Sequence, residues 1–154
     1  QSYYILKMPG EVKVMIPMDK AEEVGVRSVI DKSSADKVIS ILEQNETDMD
    51  KNWNKRYRDN MEKIKSGDIY EVADVVRNLS FKQKEKGLST GEKKMLLNAK
   101  QILVSELTLA ENLQKEEVEG MVDSKIDKSF ETYNIIDKQE PLKKLIKFDT
   151  TGTE

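Results

Sequence analysis

The chain has 154 residues and a net charge of −3, with 37% hydrophobic and 36% charged residues, which fits one medium-sized domain or two small ones. The absence of cysteine and histidine excludes disulfides, cysteine-based zinc sites, thiol catalysis and the commonest general base. No apolar run approaches the roughly 20 residues that span a bilayer, so we expect a cytoplasmic protein that is not an enzyme and has no cofactor, metal, small-molecule substrate or membrane partner.

A β-hairpin is predicted at the start of the chain. Two runs of β-branched and aromatic residues, 3–8 and 12–17, flank Pro9 and Gly10, which suit the central positions of a type II turn. Two strands alone are only marginally stable in water. We therefore expect the hairpin to be the remnant of a small β-barrel whose earlier strands are absent from this chain.

After residue 20 the signals become helical. Ser33 is expected to cap the first helix. Asp68 precedes Glu71 by three residues, and this capping pair opens a later helix. Ser89 and Glu92 form a full capping box that opens another. Two glycines are expected to end helices: Gly67 and Gly87. Apolar residues recur at helical spacing: Val38, Ile41, Leu42, Val72, Val75, Val76, Leu79, Leu96, Ala99, Leu103, Leu107 and Ala110. The predicted fold class is mainly α, a compact helical domain of four or five helices after the β-hairpin.

The only tryptophan, Trp53, lies at the head of a basic helical stretch, residues 52–58, in a protein that is acidic overall. An apolar stripe begins at Trp53 and Tyr57, beside a sector of lysine and arginine side chains. The pattern fits a core tryptophan next to a solvated basic face. It equally fits a confined contact with the phosphates and a groove of nucleic acid, or a structural helical adaptor that binds a protein partner through the Trp53 and Tyr57 face.

A second basic cluster surrounds the helix start at Ser89. Lys93 and Lys94 follow the capping box, and three more lysines precede it: Lys82, Lys84 and Lys86. The free backbone N–H groups of a helix start also favour a phosphate. The sequence therefore predicts that two basic helix starts grip one duplex.

Four motifs carry a family resemblance. Residues 52–58 read N-W-x-[KR]-R-Y-[KR], residues 74–77 read D-V-V-R, residues 86–93 read K-G-L-S-x-G-E-K, and residues 99–107 read A-[KR]-Q-I-L-V-x-E-L. In these segments the chain resembles the bacterial CarD/CdnL family of RNA polymerase-binding transcription regulators. The region before residue 28 is similar to the end of that family's Tudor-like domain, and the similarity covers roughly residues 3–125.

The resemblance implies a transcription regulator without catalysis. In this family the Tudor-like domain binds the RNA polymerase β subunit, and the helical domain meets promoter double-stranded DNA at the upstream edge of the bubble, where a tryptophan wedges into the minor groove and stabilises the open complex. It also implies a protein associated with the nucleoid. The expected DNA-binding residues are Trp53, Lys55, Arg56, Arg58, Lys93 and Lys94. The expected polymerase-binding residues are Lys13 and Met15, the latter standing where some relatives have arginine.

Three regions are expected along the chain. Residues 1–20 would be a partial Tudor-like polymerase-interaction domain, residues 21–126 the helical DNA-binding domain, and residues 127–154 a C-terminal extension of unknown role. We expect the extension to form an extra strand or short helix on the helical domain, with Pro141 interrupting any helix there. The alternative is that it binds a partner.

Overall fold

The computed structural model describes residues 1–8 and 11–152, with side chains as far as residue 137. The turn predicted at Pro9 and Gly10 lies outside the described residues. The chain forms two compact units, Gln1–Ile30 and Asp31–Glu154, which are described separately below.

The first unit contains the predicted β-hairpin. Strands β1 (Tyr3–Lys7) and β2 (Lys13–Pro17) pair antiparallel, with Ile5 opposite Met15, and a short 3-10 helix follows at Met18–Lys20. Ile5 is 64% and Met15 60% exposed, so the described ribbon leaves apolar side chains in water. The hairpin prediction is confirmed. The expectation that further strands complete the sheet stays a prediction.

The second unit is helical, and the mainly α fold class is confirmed. Its described part contains five helices: α1 (Lys32–Leu42), α2 (Trp53–Lys65), α3 (Ile69–Glu85), α4 (Thr90–Glu111) and α5 (Lys115–Gly152). Helix α3 packs against each of the other helices and supplies the centre of the core. Its fully buried side chains include Val72, Val75, Val76, Leu79 and Phe81.

The helix starts follow the capping rules, with one correction. Asp68 and Ser89 cap α3 and α4 as predicted, through hydrogen bonds from the backbone N–H groups of the first turns. The cap of α1 is Asp31, and Ser33 lies inside the helix. The Asp31 carboxylate accepts the Ser34 N–H at 2.8 Å, and its negative charge also suits the positive end of the helix dipole. The prediction of Ser33 as the cap was therefore wrong.

The glycine stops were predicted correctly. Gly67 and Gly87 adopt φ values of +77° and +84° just after the ends of α2 and α3. A residue without Cβ tolerates this left-handed conformation and lets the chain turn back sharply. These turns bring the starts of α2 and α4 to the same part of the bundle, where the candidate site lies.

Helix α5 corrects the expectation for the C-terminal residues. It is one helix that continues past residue 126 and past Pro141. The predicted helix on the helical domain is therefore confirmed, since Ser129 donates to the Leu42 carbonyl, whereas the extra strand and the interruption at Pro141 were wrong. The early turns of α5 are held by burial of Val118, Val122 and Ile126. A proline inside a helix removes one backbone hydrogen bond and crowds the carbonyl four residues earlier, so it disfavours the helix locally. The helix nevertheless continues to Gly152. Partner binding by this segment stays a prediction.

Candidate nucleic-acid interface

Helix α2 begins in a tightly hydrogen-bonded turn. The Asp50 carboxylate accepts the Asn52 N–H at 2.8 Å, and the Asn52 side chain accepts the Lys55 N–H at 3.0 Å. Asn52 is thus the N-cap, and Trp53 is the first residue of the helix. The backbone hydrogen bond from Asn52 is the main cause of a lowered pKa at Asp50. The cap fixes the backbone from which the indole projects.

Trp53 lies against the first turn of α4. Its ring stacks on Tyr57 with centroids 5.1 Å apart and an interplanar angle of 21°. The indole Nε1–H donates to Ser89 Oγ at 3.1 Å. A Cβ atom placed on Gly91 would lie 3.4 Å from Tyr57 Cε2 and 3.9 Å from Trp53 Cζ2, so the aromatic pair closely approaches the α4 backbone. Trp53 remains 43% exposed, which leaves its outer face and far edge able to reach a ligand.

Arg56 is an interior residue. It is 8% exposed and Glu92 only 1% exposed. Arg56 Nε donates to Glu92 Oε2 at 2.8 Å, and Nη2 donates to Oε1 at 3.3 Å. The remaining nitrogen, Nη1, donates to the carbonyls of Asp50 and Lys51, each at 3.2 Å. The guanidinium therefore joins the starts of α2 and α4 inside the bundle, which leaves it little surface for the expected contact with DNA.

The ion pair is charged at neutral pH. Burial raises the pKa of Glu92, but the hydrogen bond and positive charge of Arg56, with a further hydrogen bond from Ser89, outweigh burial and hold the pKa below its ordinary value of 4.5. A buried carboxylate is stable only when its charge is compensated in this way. The Arg56–Glu92 pair consequently fixes the distance between the two helix starts.

The other predicted cations are exposed. Lys55 pairs with Asp50 and with Asp59, both at 3.3 Å, and these carboxylates raise its pKa. Within the part of the chain that the structure describes, Arg58, Lys93 and Lys94 are exposed and form no ion pair. Exposed pairs contribute only about 0–1 kcal/mol, so Lys55 can exchange its partners for phosphates. The free positive charge of the site nevertheless rests mainly on Arg58, Lys93 and Lys94.

A second buried arginine fixes the loop that leads into α2. Arg77, on α3, is 3% exposed. Its Nη1 donates to the Ile41 carbonyl at 2.7 Å, and its Nε donates to the Glu46 carbonyl at 3.0 Å. Asp74 accepts from Arg77 Nη2 at 2.5 Å and neutralises its charge. Arg77 therefore holds the end of α1 and the loop at Glu46 through main-chain carbonyls, as Arg56 holds the loop at Asp50 and Lys51.

Sequence reasoning missed how α4 holds Trp53. Ser89 and Glu92 were recognised as a capping box, and the Glu92 N–H does donate to Ser89 Oγ at 3.2 Å. No sequence pattern indicates that the Ser89 hydroxyl also accepts a hydrogen bond from an indole 36 positions earlier. A usable signal was Gly91, which lies in the first turn of a helix. Glycine lowers helix propensity, so its presence there indicates that another group needs the space beside the backbone.

The predicted polymerase-binding residues lie in the first unit. Lys13 and Met15 are both exposed on β2.

In the described residues no group of three or more histidine, cysteine, aspartate or glutamate side chains could hold a metal ion. No helix in that same part of the chain has both the length and the apolar character required to cross a membrane.

Comparison with known proteins agrees with this architecture. Residues 37–123, which include both helix starts of the site, match the family model of the CarD C-terminal domain. This match places the chain in the class of transcription regulators. Over 121 residues it is 38% identical to a Bacillus subtilis (strain 168) protein named "Putative transcription factor YdeB", an alignment that covers 78% of this chain and 79% of that protein. The chain belongs to the CarD family.

Proposed function

We propose that this protein binds the RNA polymerase β subunit and promoter double-stranded DNA, and that it stabilises the open promoter complex. Trp53 enters the minor groove at the upstream edge of the melted bubble. The observation that carries the proposal is the position of this indole, 43% exposed at one helix start and held against a second. The family membership of the chain supports it.

The held indole suits a wedge. Apolar side chains that enter a minor groove unstack base steps at a cost of a few kcal/mol, and the distorted duplex then contacts more protein. A ring already stacked on Tyr57 and hydrogen-bonded to Ser89 loses little further conformational freedom on binding. Binding energy is therefore available for the distortion, and collapse of the bubble would have to expel the ring.

The positive side chains of the site would contact the phosphates of the DNA backbone. Phosphate contacts fix register and orientation without reading sequence. The proposed contacts are Lys55, Arg58, Lys93 and Lys94, without Arg56 because its guanidinium is buried and paired. With a net charge of −3 the protein has no general attraction for nucleic acid, so binding depends on this local group and on recruitment by polymerase.

Recruitment is assigned to the β-hairpin unit. Its described strands expose Tyr3, Tyr4 and Met15, and aromatic residues and methionine are enriched in surfaces that a partner protein covers. Met15 offers packing in place of the charge that arginine supplies in some relatives. A pull-down of the protein with the β subunit tests this contact, and a Met15→Glu variant that binds equally well would exclude Met15 from it.

The alternative is an adaptor that binds a protein through Trp53 and Tyr57. The exposed aromatic pair favours it, because stacked aromatic residues are common anchors of protein interfaces. Salt separates the two functions. Phosphate binding weakens steeply between about 50 and 200 mM salt, whereas an apolar interface changes little.

The deciding experiment measures duplex affinity against salt and the lifetime of open complexes formed with polymerase. Arg58→Glu with Lys93→Glu should weaken duplex binding for all sequences, and Trp53→Ala should shorten the open-complex lifetime. Lys128→Glu, a charge reversal at an exposed position of α5, is the matched control and should change neither. Unchanged DNA binding in a folded variant with Lys55, Arg58 and Lys93 all reversed would favour the adaptor.

A further inference from the structure

Hydrogen bonds connect the exposed indole to the buried ion pair without a gap. Trp53 Nε1–H donates to Ser89 Oγ at 3.1 Å, and Ser89 Oγ–H donates to Glu92 Oε1 at 3.2 Å. Glu92 in turn accepts both hydrogen bonds from Arg56. The side chain that projects into solvent is thus tied to one of the most deeply buried groups of the site.

We propose that Ser89 is a positioning residue, which sets the orientation of the Trp53 indole for the minor groove, and that the Arg56–Glu92 pair fixes Ser89. This inference rests on the proposed function, since it assigns Ser89 a part in the same DNA contact. It goes beyond the capping role of Ser89, because an N-cap needs only the bond from the Glu92 N–H.

The Ser89 hydroxyl has no freedom left. A serine hydroxyl can donate one hydrogen bond and accept two. Here it donates to the Glu92 carboxylate and accepts from the Glu92 N–H and the Trp53 indole. Because the carboxylate fixes the hydroxyl proton, the lone pair that faces the indole has a defined direction. The Glu92 carboxylate therefore sets the direction from which the Ser89 hydroxyl accepts the Trp53 indole.

Each neighbour restrains the indole in a different way. Stacking on Tyr57 sets the plane of the ring, but stacked rings can still slide and turn within that plane. The bond to Ser89 removes this in-plane rotation. Gly91 allows the edge that carries Cζ2 to approach the α4 backbone. The ring presented to DNA is consequently one conformer rather than several.

The single tryptophan of these 154 residues makes the inference testable on this chain without DNA. All tryptophan fluorescence comes from Trp53, so its steady-state anisotropy and acrylamide quenching report the order of this indole directly. Ser89→Gly removes the hydroxyl at small cost to the helix, because glycine is only a few tenths of a kcal/mol worse than serine as an N-cap. Ser89→Thr keeps the hydroxyl. Asp68→Gly is the matched control, since it removes the N-cap of α3.

Ser89→Gly should lower the anisotropy, increase quenching, and shorten the open-complex lifetime roughly twofold to tenfold, the range expected for one lost hydrogen bond. Ser89→Thr should resemble the parent in all three measurements, and Asp68→Gly should leave the fluorescence unchanged. A Ser89→Gly protein with parental fluorescence would overturn the inference. A parental lifetime in Ser89→Gly, with a shortened one in Trp53→Ala, would overturn it while the proposed function stands. If Trp53→Ala itself had no effect on open complexes, the proposed function would fall.

Discussion

Replacing Arg56 by methionine tests whether this arginine holds the fold or contacts DNA. Methionine keeps an unbranched side chain and removes the guanidinium, so Glu92 loses its ion pair while it remains 1% exposed. The carbonyls of Asp50 and Lys51 lose a donor as well. The two helix starts would then be held chiefly by the contacts of Trp53.

The expected effect on stability is large. Breaking a buried ion pair by removing one partner costs about 3–5 kcal/mol, because the other charge stays buried. The Ser89 hydroxyl and the helix start still stabilise the Glu92 carboxylate, so we expect the lower end, about 3 kcal/mol. For a domain of this size that corresponds to a fall in melting temperature of roughly 10–15 °C.

A double-mutant cycle measures the pair itself. Urea denaturation of Arg56→Met, Glu92→Met and the double variant should give a coupling free energy of roughly 2–3 kcal/mol, with the double variant more stable than additivity predicts. Arg58→Met is the control, since it removes an exposed arginine from the same helix. The structural role would be refuted if Arg56→Met melted with the parent, coupled weakly to Glu92→Met, and lost DNA affinity as Arg58→Met does.

Three further predictions concern the same site. Trp53→Ala should lower the free energy of unfolding by about 2 kcal/mol in urea, because roughly half of the indole is buried; a loss above about 4 kcal/mol would make Trp53 a core residue. The pKa of Glu92 is lower in the folded protein than its ordinary value of 4.5. Ionised Glu92 therefore stabilises the fold fully above pH 4.5, and this stabilisation is lost as the pH falls through the pKa of the folded state. The melting temperature should therefore fall in this acid range, and more steeply than in Glu92→Gln; parallel curves would contradict the assignment. Gly91→Leu should displace the aromatic ring and lower Trp53 anisotropy, whereas Gly91→Ala, with contacts of 3.4 Å or longer, should keep the parental value; equal anisotropy in both would contradict the close approach.

Local signals predicted much of the fold. Ser89 was correctly placed as a cap because its capping hydrogen bond comes from its own helix, and Gly87 was correctly placed as a stop because its conformation depends on its own backbone. Pro141 shows the limit of such rules. A local preference against helix at one residue did not end α5, whose early turns are held by packing against distant parts of the chain.

The sequence predicted the aromatic pair of the site but not which of its arginines is buried. Helical spacing put Trp53 and Tyr57 on one face, and they do stack. The same spacing could not separate Arg56 from Arg58, which are neighbouring cations of equal charge. One is buried and the other exposed because Glu92, 36 positions after Arg56, reaches only one of them once α4 has packed. The difference in burial between Arg56 and Arg58 arises from tertiary structure, so it cannot be predicted from helical spacing alone.

The buried arginines also bear on how this protein can evolve. Arg77 and Arg56 hold the segment between α1 and α2 by the carbonyl oxygens of Glu46, Asp50 and Lys51, a group that every amino acid has. Most side chains of that segment can therefore drift without moving the tryptophan that follows it. A change in its length cannot be absorbed in this way, because an inserted or deleted residue would shift the carbonyls away from their donors. Selection on this loop should thus act on residue number more strongly than on residue type.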